Sequence, residues 1–197
     1  MKLDDVQPIG YGGVLYEGEP WQSFIHVIHH GDGDILVDTG MIDSTPALDA
    51  EWHPFFDADA IPRDVRCVIN THLHFDHCGG NRLFAGTAIY VQRGELALVH
   101  EPDYTVPEWV EFGGANYVEL DGEAEIASGV RVLPTPGHTP GHQSVLVDTD
   151  DGLVVVGGDV AYSWEAFHAP ENESAARLRA LGPRRVWLAH ARDPWPD

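Results

Sequence analysis

Residues 71–80 read THLHFDHCGG and follow a short apolar segment, CVI. In an extended chain alternate side chains share a face, so His72 and His74 project together where this predicted strand ends. Asp76 and His77 then come from the turn beyond, and the glycine pair lets the backbone bend tightly. These nitrogen and oxygen donors form the ligand set that zinc and neighbouring metals favour. The segment therefore predicts a metal site, whereas a lone histidine would predict only a hydrogen-bonded side chain.

Three later residues are further metal-ligand candidates. Each ends an apolar run: His138 in LPTPGHTPGH, Asp159 in LVVVGGD and His190 in RVWLAH. Taken alone, an aspartate after two glycines is a common turn residue. Strand ends that meet at one sheet edge bring distant segments together, so we expect these side chains to join those of 71–80. The combined set is large enough for two metal ions with room for water.

Short apolar runs bounded by Gly, Pro and Asp predict strands. They lie at 23–30, 34–40, 65–71, 87–92, 130–135, 143–149, 153–158 and 185–190, and helices are predicted at 44–52, 80–84, 95–100 and 173–181. This order predicts an α/β protein, a mixed sheet sandwich with helices outside. Segment 101–129 is the least regular, and its Trp109, Phe112 and Tyr117 suit a substrate pocket, the core or a subunit interface.

The composition predicts one acidic globular domain that spans residues 1–197. Its net charge of -21 repels phosphate backbones, which disfavours nucleic acid as a partner and leaves a neutral small molecule as the expected substrate. The start of the chain is acidic and no run approaches 18 apolar residues, so we expect no membrane partner and a soluble, cytoplasmic protein. Cys67 and Cys78 are expected to be buried free thiols.

The pattern HxHxDH at 72–77, followed by His138, Asp159 and His190 in this order, resembles the metallo-β-lactamase fold superfamily. The resemblance covers residues 23–190 and implies a four-layer αβ/βα sandwich of the metallo-β-lactamase type. It also implies two Zn²⁺ ions, with Fe, Co or Mn as alternatives. One ion would lie on His72, His74 and His138, the second on Asp76, His77 and His190, and Asp159 would bridge them. Asp38 of VDTG resembles the family's buried aspartate that supports the metal site.

The residue at position 159 separates the branches of this superfamily. True β-lactamases carry Cys or Ser there, whereas lactonases, glyoxalase II and ribonuclease Z resemble this chain in carrying Asp. The negative charge disfavours the ribonuclease. The stretches THLHFDHCGGN, TAIYVQRGEL and TPGHTPGHQS resemble N-acyl-homoserine lactonases, which are quorum-quenching hydrolases. This branch implies that a metal-bridging hydroxide opens a lactone or a small ester.

The lactonase branch also implies a catalytic tyrosine. Tyr162 lies three residues after Asp159 and would donate a hydrogen bond to the carbonyl or leaving oxygen, alongside Asp76 and Asp159 at the metals; simple packing is the other interpretation. The alternative function is a glyoxalase II-like thioesterase or another metallo-hydrolase of the same fold. We expect the C-terminal helical domain of glyoxalase II to be missing because the sequence ends soon after His190. A non-hydrolytic flavodiiron role is disfavoured, since that branch shows HxExD. His142 is expected to be structural rather than a ligand.

Overall fold

Apolar runs of the chain form two β-sheets in a computed structural model that describes residues 1–169 and 171–196. The first sheet contains β1 Val6–Tyr16, β2 Glu19–Ile28, β3 Ile35–Val37, β4 Phe55–Phe56, β5 Cys67–Ile69, β6 Ala88–Gln92 and β7 Asn116–Leu120. The second contains β8 Ala124–Ala127, β9 Val130–Pro134, β10 Gln143–Thr149, β11 Gly152–Val156 and β12 Arg185–Trp187. Their orders are β4-β1-β2-β3-β5-β6-β7 and β12-β11-β10-β9-β8.

The two sheets pack face to face around one apolar layer. Side chains such as Val37 and Ile69 from the first sheet meet Val132 and Val145 from the second in a single buried cluster. Alternation along each strand sends every second side chain into this layer. Full burial of each such side chain contributes about 1.5–3 kcal/mol, so the inner layer fixes how the two sheets stack.

Short helices cover the outer faces of both sheets. They are α1 Pro46–Glu51, α2 Phe75–Cys78, α3 Arg93–Leu96, α4 Pro107–Val110, α5 Trp164–His168 and α6 Glu173–Ala180, with 3₁₀ turns at Leu3–Asp5, Ala58–Ala60 and Asn81–Phe84. Trp109 of α4 packs on the first sheet beside Val68, and Phe167 and Leu178 pack on the second. This arrangement confirms the predicted four-layer αβ/βα sandwich. Within the described residues, no helix has the length and apolar character needed to span a membrane.

Among the regions that differ from the sequence prediction are the third predicted helix, strand β1 and strands β7 and β8. The helix predicted at 95–100 is wrong in its bounds, because α3 begins at Arg93 and ends at Leu96. Strand β1 was not predicted, since glycines interrupt its alternation. A Cβ at Gly13 would lie 2.1 Å from the carbonyl oxygen of Trp21, so glycine lets β1 and β2 approach each other. Strands β7 and β8 fall within the segment that looked irregular because both are edge strands with polar, half-exposed side chains.

The structure also shows the state of the two cysteines and the location of the three aromatic residues in segment 101–129. Cys67 and Cys78 are buried free thiols, as predicted. Trp109 is 3% exposed, and Phe112 and Tyr117 pack against the same outer-face cluster. Of the three roles open to these aromatic residues, the core is therefore the one that the structure supports.

Candidate metal centre

One edge of the sandwich collects the polar side chains that follow the apolar strands. Strands β3 and β5 are parallel, and so are β11 and β12, so the members of each pair end on the same side. Asp38 follows β3, Asp159 follows β11 and His190 follows β12. The loop after β9 carries His138, and the loop after β5 carries the HxHxDH segment. The predicted ligands are thus brought together from four separate parts of the chain.

The HxHxDH segment presents its side chains from a loop and a short helix. His72 and His74 flank Leu73, whose side chain is fully buried in a separate apolar cluster. Because alternate side chains of an extended chain share a face, both imidazoles turn away from that cluster. Asp76 and His77 lie in α2, where the sequence predicted only a turn.

The two glycines after α2 serve close packing rather than a sharp bend. Gly79 and Gly80 have ordinary φ values of -60° and -88°. A Cβ at Gly80 would lie 2.3 Å from the carbonyl oxygen of Thr39. Glycine is therefore needed because the backbone after α2 touches the backbone that follows β3.

His72, His74 and His138 form what we call the three-histidine group. Nε2 of His72 lies 3.1 Å from Nδ1 of His74 and 3.1 Å from Nε2 of His138. The distance between Nδ1 of His74 and Nε2 of His138 is 2.9 Å. A tetrahedral metal with Zn–N bonds of about 2.0–2.1 Å holds its nitrogens roughly 3.3 Å apart. The nitrogen–nitrogen distances in the three-histidine group are therefore close to those expected around a single bound cation.

Asp76, His77 and His190 form a second set, the mixed group. Oδ2 of Asp76 lies 3.6 Å from Nε2 of His77 and 3.9 Å from Nε2 of His190. Asp159 lies between the two groups. Its Oδ1 is 3.3 Å from Nε2 of His77, and its Oδ2 is 3.3 Å from Nε2 of His190 and 3.6 Å from Nε2 of His138.

The donor atoms of both groups fit divalent metal ions. Nε2 of His77 and Oδ1 of Asp159 are buried, and neither has a hydrogen-bond partner among the described residues. An unsatisfied buried polar atom costs about 1–3 kcal/mol, and a cation near both atoms would remove that cost. Each group offers three donor atoms within 4.8 Å of one another, and so does the set of His72, His77 and Asp159. Imidazole with carboxylate is the donor set that zinc and its neighbours favour.

Asp38 and Thr71 orient two of the imidazoles from behind. Asp38 accepts hydrogen bonds from Nδ1 of His77 at 2.8 Å and from the backbone N–H and hydroxyl of Thr71 at 2.7 and 2.8 Å. The Thr71 oxygen lies 3.1 Å from Nδ1 of His72 and is free to accept from it. A proton held on each Nδ1 leaves the Nε2 lone pair facing the site.

Strand β2 fixes two members of the mixed group, which the sequence analysis did not foresee. Nδ1 of His190 donates to the carbonyl oxygen of Gln22 at 3.1 Å, and the Trp21 ring packs 4.7 Å from the imidazole. The buried Ser23 hydroxyl donates to Oδ2 of Asp76 at 3.3 Å. A serine that begins the apolar run at 23–28 is a sequence signal that could have indicated this role.

Burial and charge act in opposite directions on the pKa values of the two groups. Burial lowers the pKa of every imidazole in the three-histidine group, to about 4 for His138. In the mixed group burial also disfavours charge, but the Asp159 carboxylate and its neighbours outweigh it and raise the pKa of His77 and His190. Burial would raise the pKa of Asp159, yet His77 and His190 hold it well below its usual range. Without metal, burial thus favours the neutral form of the first group's imidazoles, whereas Asp159 favours the protonated form of His77 and His190.

His142 lies beside the site, but neither of its ring nitrogens is free to bind a metal ion. Its Nδ1 lies 3.0 Å from the carbonyl oxygen and 2.9 Å from the hydroxyl of Thr135, and its Nε2 accepts the backbone N–H of Asp159 at 3.1 Å. Both ring nitrogens are therefore engaged, in line with the structural role that the sequence predicted. Glu95, by contrast, was assigned only to a helix start, and the structure buries it completely behind the histidine loops.

A cleft of about 410 Å³ opens beside the candidate metal ligands. Its lining includes His74, Asp76, His138, Asp159 and His190 together with Val14, Trp21, Leu48, Trp52, Phe75, Tyr104, Val106 and Tyr162. The Tyr162 hydroxyl lies 2.7 Å from Nδ1 of His138. Burial, together with the charge of Asp159, raises the pKa of Tyr162 to about 12, so the phenol keeps its proton at neutral pH.

The sequence matches the family described as "Metallo-beta-lactamase superfamily" over residues 18–194. It is 36% identical over 169 residues to an N-acyl homoserine lactonase of a Bacillus species, covering 75% of this chain and 66% of that relative. It is 32% identical over 190 residues to the N-acyl homoserine lactonase AttM of Agrobacterium fabrum, covering 81% of this chain and 67% of the relative. The match to the Bacillus relative thus spans slightly less than two thirds of that protein's length.

Solved structures show the same architecture. An N-acyl homoserine lactone hydrolase with the product N-hexanoyl-L-homoserine bound at its catalytic metal centre superposes with a TM-score of 0.77 at 27% identity, covering 94% of this chain and 91% of that one. Bacillus thuringiensis AiiA with N-decanoyl-L-homoserine bound at its active site gives a TM-score of 0.78 at 26% identity, with 94% and 91% coverage.

Proposed function

The chain belongs to the metallo-β-lactamase superfamily, whose fold implies divalent metal ions, and from this premise we propose that it is a dinuclear zinc hydrolase that opens N-acyl homoserine lactones. The observation that carries the proposal is the position of Asp159 between two three-ligand groups beside an apolar cleft. In this proposal the three-histidine group would hold one ion, the mixed group would hold the second, and Asp159 lies within reach of both groups.

Metal ions held by these groups would supply Lewis acidity and lower the pKa of water toward neutrality. The chain's own residues supply the remaining functions. Apolar side chains of the cleft, such as Leu48, Trp52 and Phe75, would bind an acyl chain and exclude water from the reacting carbonyl. Asp38 and Gln22 hold protons on the outer nitrogens of His77 and His190, so that both imidazoles stay oriented as ligands.

Tyr162 is proposed to act on the substrate through its own proton. When Nε2 of His138 serves as a ligand, Nδ1 carries the hydrogen and donates it to the Tyr162 oxygen across 2.7 Å. The phenol O–H is then free to donate to the lactone carbonyl as it gains charge, or to the leaving alkoxide. The same contact thus orients the tyrosine and supports a ligand.

The charges at the cleft favour a neutral substrate. Glu51 and Asp103 lie in its lining, and no lysine or arginine is found among the described residues there. A glutathione thioester or a β-lactam carries at least one carboxylate, which these side chains would repel. A neutral lactone meets no such repulsion, which supports the lactonase over the glyoxalase II-like alternative.

The test is hydrolysis by the zinc-loaded protein of N-hexanoyl and N-decanoyl homoserine lactone, a glutathione thioester and a β-lactam. We expect the lactones to be opened with a kcat/KM of about 10⁴ M⁻¹s⁻¹ or more and the anionic substrates at least about 100-fold more slowly. Protein stripped of metal with a chelator is the control. Turnover of the thioester with inert lactones would replace the proposal by the alternative function. The single domain over 1–197 and the cytoplasmic location stay predictions from the sequence.

A further inference from the structure

Glu95, in α3, carries a fully buried carboxylate at the back of the three-histidine group. Its Oε1 accepts the Thr139 hydroxyl at 2.5 Å and the Gly141 backbone N–H at 2.9 Å. Its Oε2 accepts the Leu73 backbone N–H at 3.1 Å and the Tyr104 hydroxyl. Four donors therefore converge on one carboxylate, and none of these four belongs to a cationic side chain.

Three of these donors are adjacent to a member of the three-histidine group, and Gly141 lies three residues after His138 in the same loop. Leu73 lies between His72 and His74 in the sequence, and Thr139 directly follows His138. The Tyr104 ring packs edge-on against His74, with ring centres 4.9 Å apart. The side chain of Glu95 thus connects the loop of His72 and His74 to the loop of His138.

The backbone around Gly141 is shaped to this carboxylate. A Cβ at Gly141 would lie 2.7 Å from Oε1 of Glu95 and 2.7 Å from the Glu95 backbone nitrogen. A side chain at position 141 would therefore push the His138 loop away from α3. The close approach shows that the distance between the two histidine loops is set at Glu95.

We propose that Glu95 is a positioning residue that sets the affinity of the three-histidine group for its metal, leaving the mixed group unaffected. The inference rests on the metal-binding part of the proposed function and is independent of the substrate. Preorganised ligands bind a metal without first losing loop entropy, and second-layer partners of ligands typically change metal affinity about 10- to 100-fold.

Glutamine has nearly the same shape as glutamate but cannot replace it here. Whichever way its amide is turned, the NH₂ faces either Leu73 N–H or Gly141 N–H, and a backbone N–H cannot become an acceptor. The hydroxyls of Tyr104 and Thr139 can rotate, whereas the backbone donors cannot. Glu95→Gln therefore breaks the link between the loops while it preserves side-chain volume.

The experiment measures Co²⁺ binding by Glu95→Gln in two backgrounds that each disable one group. In His190→Ala protein the three-histidine group is intact, and we expect Glu95→Gln to weaken its Co²⁺ affinity about 10- to 100-fold and to change the Co²⁺ visible spectrum. In His138→Ala protein we expect the affinity of the mixed group to change by less than about threefold, because the hydrogen bonds of Glu95 reach neither the mixed group nor Asp38 and Gln22, which hold its histidines. Glu119→Gln is the matched control, since Glu119 is exposed and pairs with Arg93 at the surface.

A second measurement needs no metal. Hydrogen exchange of the metal-free protein should become faster in segment 136–142 and at Leu73 in Glu95→Gln, and stay unchanged in Glu119→Gln. If Glu95→Gln does not fold, Thr139→Val removes a single donor and should weaken only the three-histidine group, by a smaller factor. Equal loss in both backgrounds, or no loss in either, overturns the proposal. Because no lactone is used, an inactive wild-type enzyme would refute the proposed substrate and leave this result unaffected.

Discussion

The three-histidine group and the mixed group lie side by side and share Asp159, yet they are built from different chemistry. The first consists of imidazoles that burial keeps neutral, carried on loops that Glu95 and Tyr162 contact. The second contains a carboxylate and is held by Asp38 and by strand β2. In the first group the lowered pKa values mean that protons compete little with a metal for the ring nitrogens. In the second group the negative charge that attracts a metal also raises the pKa of the histidines, so protons compete with the metal.

The largest expected effect follows from removing the residue that the two groups share. Asp159→Ala deletes a carboxylate near both groups, so two cations there would repel each other with less compensation. We expect kcat/KM for lactone opening to fall about 10³-fold or more, which is about 4 kcal/mol, and at least one metal per chain to be lost. Metal analysis and steady-state kinetics measure both. Asp148→Ala is the control because Asp148 lies at the surface beside Arg131. Two retained metals with normal turnover would contradict the shared-ligand assignment.

Metal removal should lower stability next most strongly. The ligands come from four segments of the chain, so metal binding is coupled to folding. A metal present at about 1,000 times its Kd stabilises the folded state by about 4 kcal/mol, which for a chain of this length corresponds to a melting shift on the order of 10 °C. Differential scanning calorimetry before and after chelation, and again after zinc is restored, measures the shift. An unchanged curve after verified metal loss would mean that the core folds without metal.

The comparison of the two groups also shows what the sequence can predict. Every proposed ligand is a polar residue in the segment that follows an apolar strand, and strand ends of the same sense meet at one edge, so the gathering of these residues follows from local pattern. The mixed sheet sandwich with helices outside follows from the order of strands and helices, and its four-layer form is implied by the resemblance to the superfamily. Both inferences use information contained within short segments.

The supporting residues could not be predicted in this way. Glu95 contacts Thr139 and Gly141, more than forty positions away, and its sequence surroundings do not distinguish it from an exposed glutamate. Ser23 reaches Asp76 only because β2 lies next to the site. Strand β1 depends on glycines that break the apolar alternation yet permit close strand packing. These features arise from tertiary contacts that no local pattern records.

A substitution at Tyr162 tests whether this neighbour of the three-histidine group also acts on the substrate. Tyr162→Phe removes one hydroxyl and keeps the ring, so both metals should stay bound. If the phenol assists at the carbonyl or leaving oxygen, kcat/KM should fall about 10- to 100-fold, or about 1.4–2.7 kcal/mol, mainly through kcat. Kinetics with metal content checked in both proteins measure this. Equal rates would assign Tyr162 to packing and to the support of His138 alone.

The smallest effect concerns protons and separates the two groups most directly. His77 and His190 have raised pKa values without metal, so they retain protons that a metal must displace. The imidazoles of the three-histidine group have lowered pKa values, about 4 for His138, and bind as they are. Below the raised pKa values, each displaced proton should therefore weaken binding about tenfold, or about 1.4 kcal/mol, per unit fall in pH.

Calorimetric zinc titration near pH 6, in buffers of different ionisation enthalpy, counts the protons released. We expect about two for the mixed group in His138→Ala protein and close to none for the three-histidine group in His190→Ala protein. Similar proton release from both groups would mean that Asp159 does not raise the pKa of the histidines in the mixed group above that of the three-histidine group. It would contradict the difference between the two groups.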